Sequence, residues 1–250
     1  MSVSRLELIL FHLPFVDDNL QVERGSPRFD KLFKIRPLLG YLDYSFRTGA
    51  RMESQLFIDK MLAPAKGRIP SRVFMPNKPH KRGIKLWSLA GAKSGYVHKY
   101  QIFGDNTLED EEVHHSIGNS GLVVLELASG LEPGRLIYFD NYFASLLLAK
   151  KLKEEKGINS TMTLRGGRKA GAQHFMATEK IMSKKPRGNL DFVSANGVLV
   201  CQWFDKKLVT AASTKCKARI RSYCTKCKVY LCIQYGPCFV KWHTQSRYRV

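Results

Sequence analysis

Hydrophobic and polar positions along the chain alternate between two periods, and each change of period marks an element. Residues 4–13 read as an amphipathic helix, a short apolar stretch interrupted by Glu7. From about 27 to 48, Phe29, Leu32, Phe33, Ile35, Leu38, Leu39, Leu42 and Phe46 recur at three- and four-residue steps, which predicts a second helical region broken at Pro37. Strand-like runs follow at 54–62, 84–91 and 96–103, with Gly95 supplying the turn between the last two. The pattern then predicts a helix over 121–129, a strand over 136–140, a helix over 145–156 capped by Ser145 and ended by Gly157, and a strand over 158–164. Residues 165–190 are rich in Gly and Lys and read as irregular, and 191–213 read as a hairpin joining the edge of the sheet. Such alternation predicts an α/β fold, a mixed sheet with helices on its faces. Leu147, Leu148, Leu152 and Trp87 are assigned to the core, and Cys201, inside an apolar strand, reads as a small buried hydrophobe.

Two of the apolar runs end on an acid. Leu136-Ile137-Tyr138-Phe139 closes on Asp140, and Gln55-Leu56-Phe57-Ile58 closes on Asp59. Taken singly, an Asp after a strand is ordinarily a cap or a turn residue. A carboxylate at a strand's C-terminal edge is also how a buried scaffold presents oxygen ligands to a hard cation, and two of them form half of a two-metal site for phosphoryl transfer.

Charge narrows the choice of partner. The 250 residues carry a formal net charge of +20, and such a surplus points to an anionic polymer, most simply nucleic acid. From Lys206 to Val250 there are eleven Lys or Arg residues and no Asp or Glu. The stretch Asp105 to Glu112, followed by His114 and His115, is acidic and reads as a solvated loop. Lys78, Lys81, Arg82 and Lys85, with His80, cluster beside a strand expected to flank Asp59, where basic side chains would position a DNA backbone. Cys224, Cys227, Cys232, Cys238 and His243 have the close spacing of a zinc thiolate site. Cys224, Cys227 and His243 are the first-choice ligands, with Cys238 or Cys232 as the fourth, and a module this short would depend on zinc to fold. No run of eighteen apolar residues predicts a membrane span, and the N-terminal stretch lacks a small-residue cleavage site.

The run Met75 to Trp87 (MPNKPHKRGIKLW), the run Tyr138 to Leu152 (YFDNYFASLLLAKKL), and the ordered Asp59, Lys66-Gly67-Arg68, Gly157-Ile158 and Gly167-Arg168-Lys169 together resemble the piggyBac transposase family, including the domesticated piggyBac-derived proteins of animals. The resemblance runs from about Arg5 to about His243. It implies an RNase H-like fold on which three aspartates cut and rejoin DNA with divalent metal, Asp59 standing as the first and Asp140 as the second. The family's third aspartate lies in a Gly-Val-Asp-x-x-Asp-Gln type segment after the strand matched here by Val198 to Asp205. In this chain Leu208 to Ser213 passes almost directly into Cys216, and that segment is missing. Asp205, the nearest substitute, reads as a hairpin-turn residue. Lys60 stands where the family has an acid, which adds positive charge beside a metal ligand.

The resemblance also implies a domain plan: a helical remnant of a dimerisation and DNA-binding region over 1–50, an RNase H-like domain lacking its last part over 51–213, and a basic zinc module over 214–250. The family's module has two interleaved zinc sites; Ser213 here replaces the partner of Cys216, so one complete site is expected. Added contacts to DNA would come from Lys217, Arg219, Arg221, Lys226 and Lys228. The expected protein is a transposase-derived DNA binder with impaired catalysis, zinc, weak or vestigial magnesium, DNA and a second copy of itself as partners, no membrane, and a nuclear location. The rivals are an active strand transferase that recruits another carboxylate, Asp205 or Asp191, and an element relic without function.

Overall fold

The computed structural model describes residues 2–26, 28–66, 71–76, 78–104, 111–169, 171–186, 189–195, 197–204 and 207–215, with backbone alone at 11 and over 111–116, 222–224 and 229–231. In chain order the regular elements are α1 (Val3–Phe11), α2 (Arg36–Thr48), β1 (Gln55–Pro64), β2 (Arg72–Phe74), β3 (Arg82–Gly91), β4 (Val97–Ile102), α3 (Glu111–Leu127), β5 (Leu136–Phe139), α4 (Leu146–Lys156), β6 (Asn159–Thr163), α5 (Glu179–Met182), β7 (Leu190–Ala195), β8 (Val198–Phe204), β9 (Leu208–Ser213), β10 (Ser222–Cys224) and β11 (Val229–Leu231). They fall into two units: Met1–Met52, Lys60–Ser88 and Tyr96–Thr107 in the first, Glu53–Asp59, Leu89–Gly95 and Leu108–Val250 in the second.

In the second unit the strand order runs β1-β5-β6-β9-β8-β7. β1, β5 and β6 are mutually parallel, and β9, β8 and β7 continue the sheet antiparallel. The parallel β5 and β6 need a crossover, which α4 supplies. Ser145 caps α4 by accepting a hydrogen bond from Leu148 N at 3.1 Å, and Gly157 ends it in the left-handed region at φ 64°. There the cap amide bonds back to Leu152 and Lys153, and an added Cβ would meet Pro133 at 3.0 Å, so glycine suits this stop on two counts. Leu56, Ile58, Ile137, Leu148, Leu152 and Ile158 are fully buried and form the core between sheet and helix. Each such aliphatic side chain contributes about 1.5–3 kcal/mol when removed from water.

In the first unit β2 and β4 both pair with β3. Tyr100 on β4 meets Phe46 of α2 edge-on at 5.8 Å between centroids and donates its hydroxyl to Leu39 O at 3.0 Å. α2 does not break at Pro37: the helix starts there, because a first-turn proline lacks only an N–H that has no partner in any case. Ahead of it lie turns and a single 3-10 turn over Phe33–Ile35 instead of α-helix.

Three further expectations are corrected. α3 begins ten residues before 121, with a non-helical break at Gly118. Leu147 is 54% exposed, since it sits about 100° around the helix from Leu148 and outside the stripe formed by Leu148, Ala149 and Leu152. The segment 191–213 is not one edge hairpin but the three strands β7, β8 and β9, of which β9 sits inside the sheet against β6. Trp87 is buried as expected, whereas Cys201 is only half-buried.

Candidate functional site

β1 alternates buried Leu56 and Ile58 with residues that face the other way, Asp59 among them. Its parallel register with β5 pairs Ile58 with Phe139. One step further along both strands, Asp59 comes beside Asp140. Neighbouring strands are about 4.8 Å apart and alternate in phase, so the two carboxylates leave the same face at the C-terminal end of the parallel pair. The acids that the sequence singled out are thus brought together by the register. Lys60, the next residue on β1, projects from the opposite face by the same alternation, so its charge is not aimed where the two aspartates point.

The connection after β5 is held firmly. Asp140 Oδ1 accepts a hydrogen bond from Tyr142 N at 2.9 Å, and Asp140 O accepts one from Phe143 N at 3.3 Å, a turn made by the aspartate's own side chain. Beneath it Phe143 and Ala144 are fully buried. The connection after β6 reaches across to it: Arg165 Nε donates to Asn141 Oδ1 at 3.1 Å, and Arg168 Nη1 lies 3.4, 3.1 and 3.2 Å from the carbonyl oxygens of Asn141, Tyr142 and Ala144. In the sequence, Gly167-Arg168-Lys169 carries part of the family resemblance, but no residue of 165–190 reads as a site residue. The available signal was two arginines around Gly166-Gly167 directly after a strand, at the sheet edge where loops of parallel strands build sites.

Lys169, the next residue, turns inward. The residue is 8% exposed and its ammonium donates to Gln202 Oε1 at 3.1 Å; Gln202 Nε2 donates to Ala177 O at 2.5 Å, and Ala177 N donates to Asp191 Oδ2 at 2.6 Å. Burial pushes the Lys169 ammonium below the ordinary lysine value, and the Glu179 charge partly restores it. Asp191 is therefore a buried structural acid on β7, with β6, β9 and β8 between it and β5. Among the described residues no third His, Cys, Asp or Glu joins Asp59 and Asp140.

β9 runs antiparallel to β6, so it leaves the sheet at the end opposite the two aspartates. That exit is pinned: Ser160 N donates to Thr214 Oγ1 at 2.8 Å, and Lys153 Nζ to Thr214 O at 3.1 Å. Asp205 lies outside the described residues; Phe204 and Leu208 on either side of it belong to strands separated from β5 by β6.

Of the expected nucleic-acid contacts, Lys81 and Arg82 are exposed and Lys78 half-buried in and after the β2–β3 connection. The Lys85 ammonium sits between two rings, 4.8 Å from Trp87 and 4.9 Å from Phe103, a cation–π arrangement that holds it in place. Cys224 ends β10, whose antiparallel register with β11 pairs it with Val229. Its side chain, together with Cys216, Cys227, Cys232, Cys238, His243, Lys217, Arg219, Arg221, Lys226 and Lys228, lies outside the described residues, as does the acidic stretch 105–110.

A family model described as Transposase IS4 matches residues 1–235. PiggyBac transposable element-derived protein 3 of Homo sapiens is 28% identical over 223 residues, which covers 86% of this chain and 35% of that protein. PiggyBac transposable element-derived protein 2 of Homo sapiens is 26% identical over 216 residues, covering 84% and 35%. Among solved structures, the cryo-EM structure of the piggyBac transposase synaptic complex with hairpin DNA shares the fold with a TM-score of 0.73 at 22% identity, over 92% of this chain and 46% of that one. The chain spans about a third of the length of these curated relatives, 35% in each case. The likeness shows a mixed α/β sheet flanked by helices.

Proposed function

The chain belongs to the transposase IS4 family, with piggyBac-derived proteins among its relatives, and from that premise we propose that it is a transposase-derived DNA-binding protein whose strand-transfer chemistry is impaired. The observation that carries this reading is the register-matched pair Asp59 and Asp140, joined by no third ligand among the described residues. The strand order supports an RNase H-like domain over 51–213: β3 pairs with both β1 and β4, and β1, β5 and β6 lie side by side in parallel. Carboxylate oxygens suit Mg²⁺, and Asp59 and Asp140 are the residues that would hold it. A bound ion would polarise a phosphoryl oxygen; catalysis with two ions needs more carboxylate than this pair offers. The pinned departure of β9 from the opposite end of the sheet supports the reading that no carboxylate follows it into the site.

DNA as partner is supported by the net charge and by the hairpin DNA in the related synaptic complex. The contacts proposed are Lys78, Lys81, Arg82 and Lys85, with Lys217, Arg219, Arg221, Lys226 and Lys228 on a module over 214–250. There Cys224, Cys227 and His243, with Cys238 or Cys232, offer the thiolate and imidazole donors that zinc takes. A helical remnant over 1–50, self-association and a nuclear location complete the proposal.

The test is an electrophoretic binding and cleavage assay with the full chain on duplex and hairpin DNA. Retention of DNA, weakening steeply with salt, and no cleavage on adding Mg²⁺ or Mn²⁺ are the expected results. Metal-dependent cleavage that disappears in Asp140→Asn would show a working enzyme, and failure to retain DNA would remove the binding role.

A further inference from the structure

Residues 60–104 contain ten Lys or Arg and no Asp or Glu, a stretch as free of acid as the C-terminal one. Most of it forms the β2–β3–β4 part of the first unit. On the β2–β3 hairpin, Phe74 stands directly across from Arg82 in the antiparallel register, and the guanidinium carbon lies 5.9 Å from the ring centroid. Phe74 is 60% exposed, an unusual position for a large aromatic ring. Arg72 lies two residues back on the same strand and on the same face, with Ile84 across from it. The connection is folded over by Met75 N to Lys81 O at 2.7 Å and Lys78 N to Met75 O at 3.2 Å, which keeps Lys78 and Lys81 at the same end. The opposite face is closed at Gly83. A Cβ at Gly83 would lie 2.2 Å from Ala63 O, so the backbone of β1 closes it.

An apolar knob that met a protein partner would be served by a neutral rim. A ring exposed among Arg72, Lys78, Lys81 and Arg82 instead suits a ligand that carries a π-face and a polyanionic chain at once. A duplex hides its base faces in the stack, whereas an unpaired strand offers them. We propose that the Phe74–Arg82 pair is a stacking site for an unpaired base of DNA, with the surrounding cations holding the adjoining phosphates. This rests on the DNA-binding reading above and gives that binding a preference for single-stranded over duplex substrate.

The experiment measures fluorescence anisotropy of the full chain with an oligothymidine strand and with a duplex of equal length, at fixed salt. Phe74→Ala is expected to weaken single-strand binding about ten-fold, to leave duplex binding within about two-fold, and to be rescued by Phe74→Trp. Arg82→Ala is expected to weaken both and to lower the salt slope by about one. Photo-cross-linking with a strand containing iododeoxyuridine, read by mass spectrometry, should place an adduct on the peptide that contains Phe74. Native binding of duplex as tight as of single strand, an unaltered Phe74→Ala, or adducts confined to the C-terminal stretch would overturn the proposal. A native chain that binds neither DNA overturns the DNA-binding reading itself, whereas loss of the Phe74 effect alone leaves that reading standing. Phe74 is too exposed for its replacement to unfold the chain, and circular dichroism melting verifies this.

Discussion

Replacing Arg168 by alanine removes the guanidinium that gathers the connection bearing Asp140. Nη1 contacts three carbonyl oxygens, those of Asn141, Tyr142 and Ala144, but carries only two N–H bonds, so the contacts amount to about two hydrogen bonds' worth of interaction. A hydrogen bond to a charged group contributes about 1.5–3 kcal/mol when buried; Arg168 is exposed, water replaces much of what is lost, and the expected cost of the substitution is about 1–2 kcal/mol in total. For a chain of this size that is a fall in Tm of about 3–6 °C. The more discriminating readout is hydrogen exchange by mass spectrometry. The amides of Tyr142 and Phe143, which bond to Asp140, should exchange faster in Arg168→Ala, while those of β6 keep their protection. Arg168→Lys should fall between, because it keeps a positive charge and N–H donors but its ammonium ends one bond short of the Nη1 position. A lowered Tm with unchanged exchange at 142–143 would refute the clamp, since Arg168 would then support the fold without fixing the aspartate.

Three further outcomes are expected. Lys169 has a folded-state pKa below the 10.5 it keeps when unfolded; between those values the unfolded chain binds more protons, so stability rises with pH. The stability of the native chain relative to Lys169→Met, from urea melts, should therefore climb as pH increases from neutral towards the ordinary lysine value, and a flat difference would contradict the burial of that charge. Gly157→Ala must adopt a left-handed conformation with its Cβ against Pro133, and should cost about 1–2 kcal/mol in the same melts. Asp140→Asn keeps an oxygen to accept from Tyr142 N but loses the charge, so the melting curve should be unaltered while terbium luminescence from metal at the Asp59 pair falls; equal luminescence in both proteins would separate Asp140 from metal binding.

What could be read from the sequence is what local chemistry decides. Ser145 and Gly157 bound α4 because one supplies an acceptor for a free amide and the other tolerates φ 64°. Pro37 was legible as punctuation but not as to sense, since the same ring starts a helix or ends one. The acids Asp59 and Asp140 stood out as closing apolar runs, yet their adjacency depends on the pairing of Ile58 with Phe139, far apart in the chain, and no local pattern encodes it. Arg165 and Arg168 were passed over for the same reason: their partners are backbone groups of a loop that only the sheet brings close. The three-residue β2 is too short to show a period, and the pairing of β9 with β6 in place of an edge position is a contest between strands that sequence alone does not adjudicate.

Charge is distributed unevenly along this chain. Residues 60–104 supply ten cations and residues 206–250 eleven, and neither stretch contains an acid; the remainder holds twenty cations against all twenty-one acids and is close to neutral. Outside the two basic stretches the chain therefore has almost no net charge with which to attract a polyanion, and the two carboxylates themselves repel phosphate unless a cation intervenes. A transposase needs that cation to draw the scissile phosphate into the site. A protein that only holds DNA does not, because the basic stretches can retain the strand without bringing it to the acids. Under the proposed reading, the lack of a third carboxylate would remove the reason to approach the pair and leave the means of binding untouched, so impaired chemistry and retained DNA affinity would be compatible in one chain.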